Sequence, residues 1–275
     1  MGHAVRTRID GRTTGPGPAP GPWIRSAPMD LGIARRRAAV AAASKGLGYE
    51  VAAALAREQV QVAICGRDRD RIEAAAASME GEVVAIVADV GDPDGATRFV
   101  RDARARFGGI DILVTNAGGP PPGTAADVSL EQYTRAFELN CLSTIAMCTE
   151  SVGEMRERGW GRILAVTSSA VRQPNPVLIL SNTARAGVTA YLKTLAREVA
   201  ADGVTVNSLQ PGLHATDRLR GLGLDLEVAA ATVPAGRLGD PADFGAVAAF
   251  VCSEHAGYIT GVALHIDGGA YPGLL

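Results

Sequence analysis

Short apolar runs alternate along this chain with longer, Ala-rich stretches whose polar positions return every three or four residues. Runs of that length with Val, Ile and Cys predict buried strands, here at 38–42, 61–65, 83–87, 112–115, 162–167, 204–209 and 262–266. The stretches between them have the 3.6-residue period of amphipathic helices, at 46–58, 69–79, 93–107, 130–158 and 241–252. The helix expected over 130–158 is long, and a break is expected near 131–138. A further helix carries Ser181 and Arg185 and runs to about residue 200. Strict β/α alternation predicts an α/β protein built on a doubly wound parallel sheet, in one domain over 29–275. No repeat of 20–50 residues interrupts that order.

Composition narrows the core. Of the 275 residues 47% are hydrophobic but only 4% aromatic, so packing must come from Ala, Val, Leu and Ile. That suits parallel strands under Ala-rich helices. The net charge is −2, with Arg residues scattered among as many acids, which argues against nucleic acid or membrane as a partner. No apolar run approaches the ~18–20 residues of a membrane helix. Cys65, Cys141, Cys148 and Cys252 lack C-x-x-C spacing and a His cluster, so they read as buried small hydrophobes. No metal site is implied, and a reducing cytoplasmic location is expected. Residues 1–28 alternate Pro and Gly without apolar period or signal-like h-region, and are expected to be a disordered arm.

Candidate chemistry gathers at 168–185. A strand ends near Ser168 and Ser169, a Pro-rich loop follows, and Ser181 and Arg185 lie one helical turn apart on a shared face. In open α/β sheets ligands bind beyond the carboxyl ends of the strands, where these groups would converge. A second candidate follows the first strand: Ala42-Ala43-Ser44-Lys45-Gly46-Leu47-Gly48 opens a helix. Glycines at such a turn let the backbone approach a pyrophosphate at the positive helix end.

From this turn onward the chain resembles the short-chain dehydrogenase/reductase family, over about 31–269. The family turn Gly-x-x-x-Gly-x-Gly is matched at Gly46 and Gly48, with Ala42 at its first glycine. Asp89-Val90 resembles the adenine contact, and Asn116-Ala117-Gly118 the Asn-Ala-Gly motif. Asn140 falls where the family has a structural and catalytic Asn. Pro211-Gly212 with Thr216 resembles the nicotinamide-side loop, and Ile266-Asp267-Gly268-Gly269 the final strand end. The resemblance implies a Rossmann-like fold, a nicotinamide dinucleotide, a small-molecule substrate and a homodimer or homotetramer. Its general layout is most similar to the ketoacyl-carrier reductases.

The second strand ends Cys65-Gly66-Arg67, with the acid Asp68 only afterwards. Arg67 and Lys45 can pair with a 2′-phosphate, which favours NADP(H). The family's catalytic set is a Ser followed thirteen residues later by Tyr-x-x-x-Lys. Counting from Ser168 lands on Ser181 and then Arg185, so Ser replaces Tyr and Arg replaces Lys. An alkyl hydroxyl is a far weaker acid than a phenol, and Arg does not exchange protons at neutral pH. Ser168, Ser181, Arg185 and Asn140 are the catalytic candidates; Arg185 also counts with the cofactor contacts through the ribose. Tyr191 lies ten residues past Ser181, too far along the helix to substitute, whereas the loop residue His214 is a candidate proton donor. Ser169 and Asn182 read as local capping groups, and Arg172 either as a solvated charge or as a contact for an acidic group on the substrate. Loops 118–123 and 171–176 are expected to wall the cleft under an apolar lid at about 213–240. The expected activity is carbonyl reduction, or alcohol oxidation, on a small apolar substrate. The alternative is NADP(H) binding without redox turnover, in a cyclase, an isomerase or a nucleotide-sensing regulator.

Overall fold

The computed structural model describes residues 29–221 and 225–274. The expected arm and three residues of the lid therefore lie outside the described residues. Residues Leu31–Leu275 form one compact unit. Its strands are β1 (Arg37–Val40), β2 (Gln61–Gly66), β3 (Val83–Val87), β4 (Ile112–Thr115), β5 (Gly161–Val166), β6 (Val204–Pro211) and β7 (Ala263–Ile266). They pair in the order β3-β2-β1-β4-β5-β6-β7, and every pair is parallel. From β1 the chain builds outward to β3, then returns to lay β4 on the other side of β1. That reversal leaves a crevice at the carboxyl ends of β1 and β4, the place where such sheets bind ligands.

The helices are α1 (Gly46–Arg57), α2 (Arg69–Ala77), α3 (Pro93–Phe107), α4 (Leu130–Phe137), α5 (Ser143–Glu157), α6 (Ile179–Val199), α7 (Asp217–Arg220), α8 (Leu226–Ala231) and α9 (Pro241–Val251). Helices α1, α2 and α9 cover one face of the sheet with a cluster that includes Val51, Leu55, Ile72 and Phe244. Helices α3, α5 and α6 cover the other, around Phe99, Leu113, Met147 and Val188. Small residues set how closely these layers approach. A side chain on Gly245 of α9 would meet the carbonyl of Glu50 on α1 at 2.3 Å, so the two helices touch through backbone. The low aromatic content is thus matched by helices packed close enough to need no large rings.

Two local differences from the sequence pattern have clear causes. Strand β1 ends at Val40 rather than Ala42, because Ala42 takes φ 49° and turns the chain out of the sheet. The helix expected over 130–158 is interrupted by a π turn at Glu138–Leu142, just beyond the expected break. Leu130–Phe137 stays helical because Ser129 and Gln132 close a capping box at its start. The wider π turn carries Asn140, and such turns recur at functional sites.

The amino end of the sheet is fixed by Asp111, which is 3% exposed. Its carboxylate accepts from the Arg37 backbone N–H at 3.0 Å and from Arg37 Nε and Nη2 at 2.7 Å each, with Arg158 Nε 3.4 Å away. Burial alone would raise the Asp111 pKa, but the hydrogen bonds and charge of Arg37 outweigh it and hold the carboxyl below its ordinary value. A depressed carboxyl stabilises the fold above its unfolded pKa of about 3.9, and that contribution disappears as pH falls through the folded value. Asp111→Asn is expected to cost roughly 2–3 kcal/mol in denaturant unfolding at neutral pH, the lower part of the buried-pair range because Arg37 can reach water. The gap between wild type and variant should close below about pH 4; a gap unchanged by acid would contradict this role.

Candidate active site

The β1–α1 turn is shaped for close approach to a ligand. Ala42 and Gly46 both have positive φ, 49° and 65°. The left-handed conformation costs an alanine about 1–2 kcal/mol, so the Ala at the family's first glycine is accommodated with strain. Gly48 cannot be replaced cheaply: a Cβ there would lie 2.7 Å from both the Ala42 carbonyl and Asn116 Nδ2. Asn116 Nδ2 donates to that same carbonyl at 3.2 Å, which ties the end of β4 to the turn. Helix α1 has no side-chain cap at Lys45, whereas Asp68, Asp92, Ser129 and Asp240 cap α2, α3, α4 and α9. Its first N–H groups are therefore open to an anion. Thr216, in the loop after β6, reaches over the turn, its methyl group 4.0 Å from a Cβ built on Gly46. A dinucleotide's diphosphate fits this cradle.

Around the rest of the cradle, Leu47 packs on the α1 face of the core and Ser44 lies against Gly66 at the end of β2. Arg67 is 79% exposed at its side chain and sits 3.9 Å from Asp89, with Lys45 also exposed. Asp68 caps α2 through the Arg71 N–H at 2.9 Å and is not free at the strand end. Asp89 accepts from the Gly91 N–H, and Val90 is buried beside the α3 layer. Ala117 and Gly118 follow β4, and the Gly118 carbonyl accepts from Asn140 Nδ2 at 2.8 Å. The Asn140 Oδ1 is buried with no hydrogen-bond partner among the described residues. On the far side Pro211 ends β6, and Gly212 donates to Ile266 at 2.9 Å.

The catalytic candidates lie at the end of β5 and on α6. Ser168 Oγ accepts from the Ala170 N–H at 3.1 Å, starting a 3₁₀ turn at Ser169–Val171 and leaving its O–H free to donate. Ser181 and Arg185 are each 9% exposed, one turn apart on α6. Arg185 Nη1 donates to the carbonyls of Val166 at 2.9 Å and Thr167 at 3.0 Å. Its guanidinium is thus held at the carboxyl end of β5, the strand that leads into Ser168. Burial and the nearby Arg218 push the Arg185 pKa down to about 10, which still leaves it a cation at neutral pH.

The remaining candidates separate clearly. His214 is 5% exposed, its ring edge-on to Phe244 at 5.3 Å, with Nδ1 3.2 Å from the Gly212 carbonyl. Burial lowers its pKa. Burial raises the Tyr191 pKa to about 12, and its ring packs with the α3/α5/α6 layer. Asn182 Nδ2 donates to the Asn175 carbonyl, a local bond, and Arg172 is exposed on its loop. Loops 118–123 and 171–178 are stitched together: the Gly123 N–H donates to Val177 and the Ile179 N–H to Gly123. The segment expected to form a lid carries α7 and α8. Sequence reasoning missed Arg218 of α7, whose guanidinium rests on Gly119; a Cβ there would lie 2.2 Å from Nη2. The signal was a second glycine after Asn-Ala-Gly, leaving room for a large side chain.

Comparison with known proteins agrees with this layout. Residues 41–271 match the sequence model of the enoyl-(acyl carrier protein) reductase family. A 3-oxoacyl-[acyl-carrier-protein] reductase FabG of Vibrio cholerae is 36% identical over 184 residues, covering 66% of this chain and 75% of that protein. Human dehydrogenase/reductase SDR family member 4 is 36% identical over 204 residues, 72% of this chain and 73% of the relative. L-Sorbose reductase of Gluconobacter frateurii, solved with NADPH and L-sorbose, superposes with a TM-score of 0.84 at 31% identity, over 90% of this chain and all of that one. A 7α-hydroxysteroid dehydrogenase solved with NADH gives 0.83 at 26% identity, over 90% of this chain and 98% of the other. With a doubly wound sheet, a glycine turn and a Ser-bearing strand end in the family order, the chain belongs to the short-chain dehydrogenase/reductase family of oxidoreductases.

Proposed function

We propose that this protein is an NADP(H)-dependent oxidoreductase that interconverts a carbonyl and an alcohol on a small substrate with an apolar body. The observation that carries this reading is the Gly46–Gly48 turn at the uncapped start of α1, on the same sheet end as Ser168, Ser181 and Arg185. When bound, the nicotinamide supplies a hydride to the carbonyl carbon or accepts one from the alcohol carbon. Ser168 and Ser181 donate hydrogen bonds to the carbonyl oxygen. Arg185 offsets the negative charge that grows there and reaches the ribose with the donors that β5 does not occupy. Asn140 organises the π turn by tying it to the Gly118 carbonyl. The C=O π pair ends as an alkoxide, and water gives that oxygen its proton. General acid–base help is worth ~10²–10⁴-fold, so turnover should be slower than a Tyr/Lys set would permit.

Several features support the finer choices. Asp68 is engaged as a cap, and the exposed Arg67, in only a long ion pair with Asp89, and Lys45 can turn to a 2′-phosphate. Adenine would lie against Asp89 and Val90, the diphosphate at Gly46–Gly48 under Thr216, and the nicotinamide between Asn116–Gly118 and Pro211-Gly212. Leu219 is buried in the lid and Val228 exposed on α8, apolar groups suited to an apolar substrate. Among the described residues no helix is long and apolar enough to cross a membrane, and no cluster is suited to a metal ion. The four cysteines are free and buried, consistent with a reducing cytoplasm. Phe250, Val262 and Leu264 are exposed along α9 and the edge strand β7, apolar surface that a second copy of the chain would cover.

NADPH fluorescence titration is expected to saturate, with Arg67→Ala weakening NADPH roughly tenfold or more while sparing NADH, the effect of one charge-assisted hydrogen bond. Equal loss for both nucleotides would contradict the assigned preference. The pair Ser181→Tyr with Arg185→Lys should raise carbonyl reduction by at least about tenfold, toward the acid–base range. Unchanged turnover in a folded, NADPH-binding double variant would show that the scaffold is not a reductase in waiting. Light scattering should give the mass of a dimer or tetramer, and a monomer at micromolar concentration would exclude the oligomer.

A further inference from the structure

The active-site cleft is electrically unbalanced. Arg185 is buried, and the charge that bears on it is another cation, Arg218. Among the described residues neither guanidinium has a carboxylate partner, although fifteen other ion pairs occur in the same protein. Two carbonyls at the end of β5 take up one nitrogen of Arg185, which satisfies hydrogen bonding without neutralising the charge. A buried cation beside a second cation is costly unless an anion completes the site.

The two groups come from different elements to the same end of the sheet. Arg185 rises from α6 under the end of β5. Arg218 reaches down from α7 of the lid and lies on Gly119, just past β4, where any side chain would collide with it. Strands β4 and β5 are neighbours, so Gly119 beyond β4, under Arg218, and the Val166 and Thr167 carbonyls that hold Arg185 lie at the same end of adjacent strands. The diphosphate seat is elsewhere, at the amino end of α1 under Thr216. Neighbouring lid residues do not neutralise Arg218 either: Asp217 pairs with Arg220 at 3.0 Å.

Resting on the reductase reading above, we propose that the substrate is an oxo acid whose carboxylate is held between Arg185 and Arg218, next to the carbonyl that faces Ser168 and Ser181. The apolar lid then covers the remainder of the molecule. Planar guanidinium groups bind carboxylates through paired N–H donors, and a lid-borne Arg makes closure depend on the anion. The same carboxylate would supply the missing counter-charge for Arg185. Arg218 is exposed, so its replacement does not threaten the fold.

The test is calorimetric binding of 2-oxohexanoate and 4-oxopentanoate, each beside its methyl ester, to the full chain saturated with NADP⁺. At least one acid should bind about tenfold or more tightly than its ester, the range expected for a charged hydrogen bond. That preference should fall to about twofold in Arg218→Ala, recover in part in Arg218→Lys, and weaken with salt. Equal affinities of acids and esters in a wild type that binds NADPH would overturn the proposal and leave the reductase reading intact. An Arg218→Ala protein that loses NADPH affinity as strongly as acid affinity would also overturn it, because Arg218 would then clasp the cofactor. If no nucleotide binds, the reductase reading fails, and the same acid and ester titrations on the free protein decide the anion site.

Discussion

The contact on which the site depends is that of Arg185 Nη1 with the carbonyls of Val166 and Thr167. It anchors a permanent positive charge at the carboxyl end of β5 and fixes the turn of α6 that carries Ser181. A lysine placed there would be a mobile point charge able to shift its pKa; the guanidinium is a rigid fork that stays protonated. Everything the cleft can do follows from that exchange. It can bind hydroxyls and oxyanions and hold a developing negative charge, but it cannot pass a proton onward.

Serine at 181 has the same consequence from the other side. In the proposed reading its hydroxyl would orient a carbonyl oxygen, yet its acidity is far below that of a phenol near pKa 10. Rate enhancement then rests on position and electrostatics, the contributions that survive without a proton relay. A cleft rich in fixed cations and poor in acids is consistent with that division of labour. Asn140 and its π turn, packed on α6, tie Gly118 in place.

Much of this was legible in the sequence because it rests on local rules. Apolar runs gave the strands within a residue or two, and the order of Gly46, Gly48, Asn116, Asn140, Ser168 and Pro211 marked the family to which the chain belongs. Ser181 and Arg185 were placed by counting alone. Three features were not legible, each for a physical reason. The π turn at Glu138–Leu142 reflects Asn140 bonding across to Gly118, a tertiary contact that no helical period encodes. The left-handed Ala42 is a backbone state that alanine composition argues against. Arg218 lies 33 residues after Arg185 and joins it only through lid packing over Gly119. His214 illustrates the reverse: its chemistry attracted notice, and its surroundings are those of a packed ring, held against Phe244.

The central claim is that this site reduces a carbonyl without a titrating proton donor. The pH dependence of kcat/KM for carbonyl reduction tests it most directly. Neither Ser181 nor Arg185 titrates near neutrality, and burial moves His214 below its ordinary value. The account therefore predicts a profile that is flat between about pH 6.5 and 9. A limb of unit slope inside that window would reveal a side chain giving up its proton at the carbonyl, and would contradict it.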